Sequence, residues 1–585
     1  MCGIAGTTLK GVAIEDLNAC QSHRGPDDRG TFTDEYISLG HLRLAIQDLS
    51  PKGHQPMRVG DVEIIFNGEV YNFKELRKDL EAKGQQFVSG SDTEVIAAGY
   101  RQEGSNFLYK MRGMWALALY NTKTHELVLS RDPFGIKPLY VFEKEVSGKK
   151  EIAFSSELRA LSPVLKKYGR TEDTFAHHLY FLLGYIPAPH TPFTEVQKML
   201  PGEIRIYDLE HGMRKSIDPV RPYLTDVQYE GATAQERVEK ALEDSIRAHY
   251  IADVPVCLFF SGGIDSTLLL SKSRELGYNP EPFFLHIPNR LDNEYAQAIA
   301  KELGVKLTNV EFGEREALAS MHKALKTLDE PFADTSYVPT EFLSGAVAKT
   351  HKVVLSGEGG DEFFGGYHRH KHLPHTLAGR RFISQKLVQQ LATRVRRGVE
   401  SKINRDLFAA YIEFMRIDEG LIPLQKTQLI DAHFKQDIIS RAHDTHALDI
   451  DQVMYLPDDL LFKIDRAGMQ HGLEGRVPFL DRYFFNTVRQ IPVEERMGKS
   501  ATGKEMLKHM LRKHLPENLI ERPKQGFSFP LNMIEGLEPE LFENARAYAK
   551  AHSEFVPLNV DTALEHPQTK YALLVWAQWH QNFFK

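Results

Sequence analysis

The sequence predicts two units in tandem: a β-rich α+β unit, then an α/β unit built on a doubly wound parallel sheet with a helical C-terminal part. Three observations carry this reading. The chain has 585 residues, more than one ordinary domain holds. Short apolar stretches bounded by Gly, Asn, Asp and Lys dominate the first two hundred residues, as strands do. From Ala232 onward, continuous apolar runs end in glycine turns and lead into helices, the texture of a parallel sheet covered on both faces.

In the first unit, Val62-Glu63-Ile64-Ile65-Phe66 and Met114 to Tyr120 read as strands, and Glu75 to Lys83 and Thr93 to Glu103 as helices. Pro201-Gly202 introduces Glu203 to Tyr207, read as the last strand, so the unit is taken as residues 2–207. The polar, proline-containing stretch 208–231 reads as a linker. The second unit, 232–585, opens on a helix from Thr233 to His249. Val254 to Phe260 is a buried strand that runs into Ser261-Gly262-Gly263-Ile264-Asp265-Ser266 and a helix from Thr267 to Leu276. Pro282 to Ile287 and Lys352 to Leu355 are further strands, with a helix from Glu294 to Leu303 between them. Beyond about residue 370 the chain reads as helical.

Composition excludes several classes. The net charge of −7 offers no bulk attraction to nucleic acid. No run of 18 apolar residues is present to span a membrane, and the first residues lack the basic flank and apolar core of a signal peptide. Cys2, Cys20 and Cys257 are too few and too scattered for a disulfide framework or a zinc site, which points to a reducing cytoplasm.

Two patterns carry chemistry. Cys2 follows the initiator methionine; removal of Met1 would leave a thiol and a free α-amine on one residue, a nucleophile with its own base. Ser261 to Ser266 lies where a strand meets a helix, so its glycines and the helix N-terminus suit a phosphate, although the GK[ST] ending of a Walker A loop is absent. Ser356-Gly357-Glu358-Gly359-Gly360-Asp361-Glu362 is a second strand-to-glycine turn, placed by a parallel sheet at the same carboxyl edge. Asp265 and Asp361 could then share magnesium on a triphosphate.

These residues are recognisable together. Ser261 to Ser266 resembles the pyrophosphate-binding signature of the N-type ATP pyrophosphatases. Cys2-Gly3-Ile4, His23-Arg24-Gly25-Pro26-Asp27, Asn67-Gly68-Glu69-Val70-Tyr71-Asn72 and Gly90-Ser91-Asp92-Thr93-Glu94 resemble the signatures of class II glutamine amidotransferases. Both halves in this order resemble the glutamine-hydrolysing asparagine synthetases of the bacterial B type. The likeness continues through Arg131 to Gly135, Asp465-Arg466, Glu474 to Asp481 and Arg522 to Phe527.

The resemblance implies an Ntn-hydrolase-type αββα sandwich followed by an ATP pyrophosphatase domain. It implies that Cys2 attacks glutamine, with the Asn67 side chain and the Gly68 N–H as oxyanion hole. Arg43, Ile46, Asn67, Glu69 and Asp92 would bind glutamine. Phe260, Ser261, Gly262, Gly263, Asp265, Ser266, Leu285, Ser356 and Gly357 would bind ATP, with Mg2+ on Asp265 and Asp361. Glu358 would be the base for ammonia, and Lys524 would stabilise the adenylated intermediate. Ammonia would travel by a tunnel, and the chain would form a homodimer. The acceptor is expected to be aspartate. Asp329 to Ser336 departs from the best-known aspartate users and leaves a sugar acid of surface polysaccharides as the alternative. Pro331 to Ser336 would line the acceptor pocket, with Arg369 and Lys371 as positive charge. The histidines of 368–375 suit anion contacts better than a metal, the basic segment 380–405 reads as a solvated helix face, and His177-His178 reads as having no special role.

Overall fold

The computed structural model describes residues 2–217, 227–379, 407–418, 420–422, 446–499, 503–521 and 538–584, with 436, 438 and 441. The first unit holds strands β1 Gly3–Thr7, β2 Asp28–Thr33, β3 Ser38–Arg43, β4 Met57–Val59, β5 Val62–Val70, β6 Gly113–Asn121, β7 Glu126–Arg131, β8 Tyr140–Val146, β9 Lys149–Ser155, β10 Val196–Lys198, β11 Ile204–Asp208 and β12 Met213–Ile217. They form two six-stranded antiparallel sheets, ordered β10-β8-β9-β1-β3-β2 and β12-β11-β7-β6-β5-β4.

Side chains alternate across each strand, so each sheet has two faces to cover. Ile65, Ala116 and Ala118 of one sheet pack on Ile4, Leu39, Val141 and Phe154 of the other. The opposite face of the second sheet carries Ile64, Phe66, Leu117 and Leu119, covered by Phe73, Leu76 and Leu80 of the helix Phe73–Ala82 and Val95 of the helix Asp92–Glu103. The outer face of the first sheet, with Ala5, Tyr140 and Phe142, is covered by Ile14 and Leu17 of the helix Ile14–Cys20. The result is a four-layer αββα sandwich. Because β5 and β6 are buried on both faces, they read as unbroken apolar runs.

One boundary differs from expectation. β12 lies inside the stretch read as linker and pairs with β11, Ile204 opposite Ile217. The hairpin turn with Gly212 in a left-handed conformation, and the unpatterned Met-Arg-Lys-Ser-Ile strand, both look like linker in sequence.

The second unit contains β13 Val256–Phe259, β14 Pro282–His286, β15 Thr308–Glu311, β16 Val353–Leu355 and β17 Glu474–Arg476, all parallel, in the order β15-β14-β13-β16-β17. Cys257, Phe283 and Val354 pack under the helices Glu314–Thr327 and Tyr337–Val347. Their neighbours Leu258, Phe284 and Leu355 pack under Ala234–His249, Ile264–Glu275 and Leu291–Glu302. The sheet is therefore doubly wound. Its order reverses between β13 and β16, which opens a crevice at their carboxyl ends. Lys524 and the 380–405 segment lie outside the described residues. Among the described residues no helix is long and apolar enough to cross a membrane.

A buried ionic cluster joins the units. Arg24 donates from both terminal nitrogens to Asp465, at 2.8 and 3.1 Å, and from Nη1 to Glu157 at 2.9 Å. Arg466 donates to Asp329 at 2.9 and 3.1 Å and to Asp465 at 3.0 Å. Charges this deep are tolerable because each has several partners.

Candidate active sites

β1 begins at Gly3 in the interior of its sheet, which sets Cys2 against β5 of the facing sheet. The Cys2 N–H donates to Asn67 Oδ1 at 2.9 Å, and the Cys2 carbonyl accepts from Arg24 Nε at 3.0 Å. Asn67 Nδ2 is buried without a hydrogen-bond partner. A native structure seldom leaves such a donor unsatisfied without a use for it. Gly68 is dictated by space: a β-carbon there would sit 2.1 Å from the Met114 carbonyl oxygen. Burial pushes the Cys2 thiol up, and the Leu44 N–H and Arg43 pull against it.

Glu69 and Asp92 approach one another beside this pair. Asp92 opens its helix and accepts from the Val70 N–H at 2.9 Å; burial raises its carboxyl to about 6. Burial also raises Glu69 well above the usual carboxylate range, with Arg476 opposing and Glu474 and Asp92 adding to it. Gln47 Nε2 donates to Glu69 Oε2. Arg43 donates to the carbonyls of Gln47, Asp48 and Ser50, so it shapes the loop that follows β3. The Ile46 carbonyl accepts from the Asp253 N–H at 3.0 Å, and its side chain packs with Leu44 and Val353. Cys2, Asn67, Gly68, Glu69 and Asp92 thus converge, whereas Ile46 faces the joint between the units.

In the second unit a cavity of about 480 Å³ occupies the crevice between β13 and β16. Phe260, Ser261, Gly263, Asp265, Ser266, Leu285, Ser356, Gly357, Glu358 and Asp361, all singled out in sequence, line it. Gly262 adopts φ +68°, and a β-carbon there would press on Ala296 at 3.1 Å. The Ser261 N–H donates to Ser266 Oγ at 3.2 Å, and the Gly263 N–H to Ser261 Oγ at 3.2 Å, which curls the loop. The helix begins at Ile264, three residues earlier than read, so Asp265 and Ser266 sit in its first turn.

Lys504, absent from the sequence reading, lies between the two aspartates, bonded to Asp265 and 2.7 Å from Asp361. Lys463 donates to Ser336 Oγ at 2.9 Å and lies 3.3 Å from Asp334, both on the cavity wall. Lys524 is outside the described residues. Burial raises the Glu358 carboxyl, Lys463 opposes this, and Oε2 is buried without a partner. Burial raises the Asp459 carboxyl well above the usual carboxylate range, and neighbouring Asp334 adds to this. The expected positive charge from Arg369 is a correction: its guanidinium is held by Asp451 at 2.9 Å and stacked on Tyr367, and neither it nor Lys371 lines the cavity. Lys463 is a lysine that does line the cavity. Nothing local distinguishes Lys463 or Lys504 in sequence from a surface lysine on a helix; Glu474 and Arg476 were visible as a motif without a role.

Known proteins match both halves. The glutamine amidotransferase domain family matches residues 1–216 and the asparagine synthase family residues 237–579. Asparagine synthetase (glutamine-hydrolysing) 1 of Bacillus subtilis is 30% identical over 99% of this chain and 96% of its own length. Asparagine synthetase B of Escherichia coli is 26% identical over 90% of this chain and 82% of its own. A second Bacillus subtilis relative, asparagine synthetase 3, is 27% identical over 90% and 87%. A thiol–asparagine pair in a four-layer sandwich, a crevice between two glycine turns at a switch point, and these near full-length likenesses agree: the chain belongs to the glutamine-hydrolysing asparagine synthetases.

Proposed function

We propose that the chain makes asparagine from aspartate, glutamine and ATP, with the roles divided between the two sites as follows. The observation that carries the first half is Asn67, bonded to Cys2 through Oδ1 and left with an unpartnered Nδ2. After loss of Met1, the Cys2 nitrogen is the base for its own thiol. Sγ attacks the glutamine carboxamide carbon, the oxyanion forms against Asn67 Nδ2 and the Gly68 N–H, and ammonia leaves as the thioester forms. Water then releases glutamate. Glu69 and Asp92 face the substrate ammonium, and Arg43 the carboxylate, with the loop carbonyls fixing its plane.

In the crevice, the Ser261–Ser266 loop binds the β- and γ-phosphates and Ser356 and Gly357 the α-phosphate and ribose, while Phe260 and Leu285 hold the adenine. The acceptor carboxylate attacks the α-phosphorus, and pyrophosphate departs. Ammonia attacks the acyl-adenylate, Glu358 takes the proton, and AMP leaves. Asp265 and Asp361 are a fitting pair for magnesium, which takes one or two carboxylates and completes its shell with phosphate and water oxygens. When bound, the ion would neutralise charge on the leaving pyrophosphate. Lys504, already seated between those carboxylates, adds a second positive charge there. Lys463 stands among Asp334, Asp459 and Glu358, so this wall offers an amino-acid acceptor a cation for its carboxylate and carboxyl groups for its ammonium.

Ammonia must cross the joint, where a cavity of about 10 Å³ lies between Ile136, Tyr140, Asp458 and Phe462. That is room for about one water-sized molecule, so passage requires side-chain movement. The test is pyrophosphate release by the Cys2→Ala chain. With ATP and aspartate it should proceed on ammonium chloride and be absent on glutamine. Release with a uronic acid but not with aspartate would place the acceptor in polysaccharide chemistry. Failure of ammonium to rescue would refute the two-site scheme.

A further inference from the structure

Arg476 belongs to β17 of the second unit, yet its side chain ends in the glutamine pocket of the first. Its Nη2 lies 3.3 Å from Glu69 Oε1, and Nε donates to Glu474 Oε1 at 2.6 Å. Nη1 donates to the carbonyls of His249, at 2.8 Å, and Ile251, at 2.7 Å. The residue is fully buried, and its guanidinium lies 5.8 Å from the centre of the Tyr71 ring. Among the described residues it is the cation in ion-pair contact with Glu69. The same residue serves the other pocket through its backbone. The Arg476 carbonyl accepts from the Ser356 N–H at 2.8 Å, and β16 and β17 pair Leu355 with Arg476. Ser356 opens the turn that carries Gly357 and Glu358 into the nucleotide crevice.

We propose that Arg476 is a positioning residue shared by both sites. Its guanidinium holds Glu69 in place for the glutamine ammonium, and its carbonyl holds Ser356 in place for the nucleotide. This rests on the reading of Glu69 and Ser356 as substrate contacts. An ammonium arriving at Glu69 competes with the guanidinium for one carboxylate, and Glu474, on the same strand, takes up the released charge. The rearrangement passes through Arg476 itself, from its guanidinium to the carbonyl that holds the Ser356 amide, so filling one pocket alters affinity at the other. By linkage the effect is reciprocal.

The experiment measures glutamine binding to the Cys2→Ala chain by calorimetry, with and without ATP and with no acceptor, so that neither reaction proceeds. ATP should change the glutamine Kd by about five-fold or more, and glutamine should change the ATP Kd by the same factor. Adding Arg476→Lys, which cannot bridge Glu69, Glu474 and two carbonyls, should bring that ratio to about one. A merely structural role would weaken both affinities and leave the ratio intact. Glu474→Gln keeps the guanidinium but removes its second carboxylate, and should also reduce the ratio; it serves if the lysine variant does not fold. A ratio of one in the Cys2→Ala parent, or an unchanged ratio in either variant that folds, overturns the proposal. No glutamine binding at all in the parent overturns the glutaminase reading on which it stands.

Discussion

At the scale of single residues, two side chains in the glutaminase unit make separable contributions. Asn67 is held by the Cys2 N–H through its oxygen and its nitrogen is left unpartnered; in the proposed scheme that nitrogen meets charge that develops only during reaction. Asn67→Ala should therefore lower kcat for glutamine hydrolysis by about 10²–10³-fold with little change in KM, read as glutamate release. A loss confined to KM would mean that the amide binds ground-state substrate instead. Asp92 contributes charge. Burial raises its carboxyl to about 6, so it is ionised above that pH and neutral below it. The KM for glutamine should rise as pH falls through about 6. Asp92→Asn should show a raised KM that is flat over the same range. A wild-type KM that stays constant from about pH 7 to about pH 5 would remove Asp92 from the ammonium clamp.

Between elements, the joint is made by residues that read in sequence as signatures of chemistry. Arg24, from the His23 to Asp27 signature, and Asp465-Arg466 touch no substrate in the proposed scheme; they tie the sandwich to the helix Leu461–Met469. Arg24→Ala would leave Asp465 and Glu157 buried short of a partner. It should cost about 3–5 kcal/mol, seen as a lower denaturation midpoint. Asp465→Asn should then cost much less in the Arg24→Ala background than alone, because the two share one interaction. Additive losses would show that the contact is incidental. The C-terminal helix Pro567–Phe584 makes a second tie: Trp576 Nε1 donates to His177 Nδ1 of the sandwich unit at 3.1 Å, while Trp579 Nε1 anchors the same helix within its own unit, on the Asp329 carbonyl at 2.9 Å. His177, read as having no special role, is a packing partner of that helix. Strands flanked by turns and apolar on both faces were legible because burial writes a continuous run into the chain. β15 and β17 were not. β15 alternates half-buried and exposed residues over four positions. β17 is three residues long and two of them are charged, so its strand character comes wholly from pairing with β16.

Across the whole molecule, the meeting of the two glycine turns at one crevice was legible because a parallel sheet brings its strand ends together. Lys463 and Lys504 were not, since their meaning comes from carboxylates more than a hundred residues away: Asp334 and Ser336 for one, Asp265 and Asp361 for the other. The joint has a consequence in time. Arg24 and Asp465 are separated by 441 residues. A ribosome adding about 5–20 residues each second needs about 20–90 s to deliver the second after the first. The sandwich can fold in that interval, but Arg24, which also holds the Cys2 carbonyl, has no Asp465 to close on. In the finished chain Cys2 is 8% exposed. Trimming of the first methionine is therefore expected on the nascent chain, before the joint closes. Ribosome-bound chains halted near residue 400 should lose Met1 readily to a methionine aminopeptidase. Full-length folded chain that still carries Met1 should be trimmed at least about ten-fold more slowly, in keeping with an opening cost above 1.4 kcal/mol. Equal rates, followed by mass spectrometry, would mean that the joint does not guard the thiol. If they differ, the enzyme acquires its nucleophile while still being made, and a chain that escapes trimming is locked out of glutamine chemistry for as long as it stays folded.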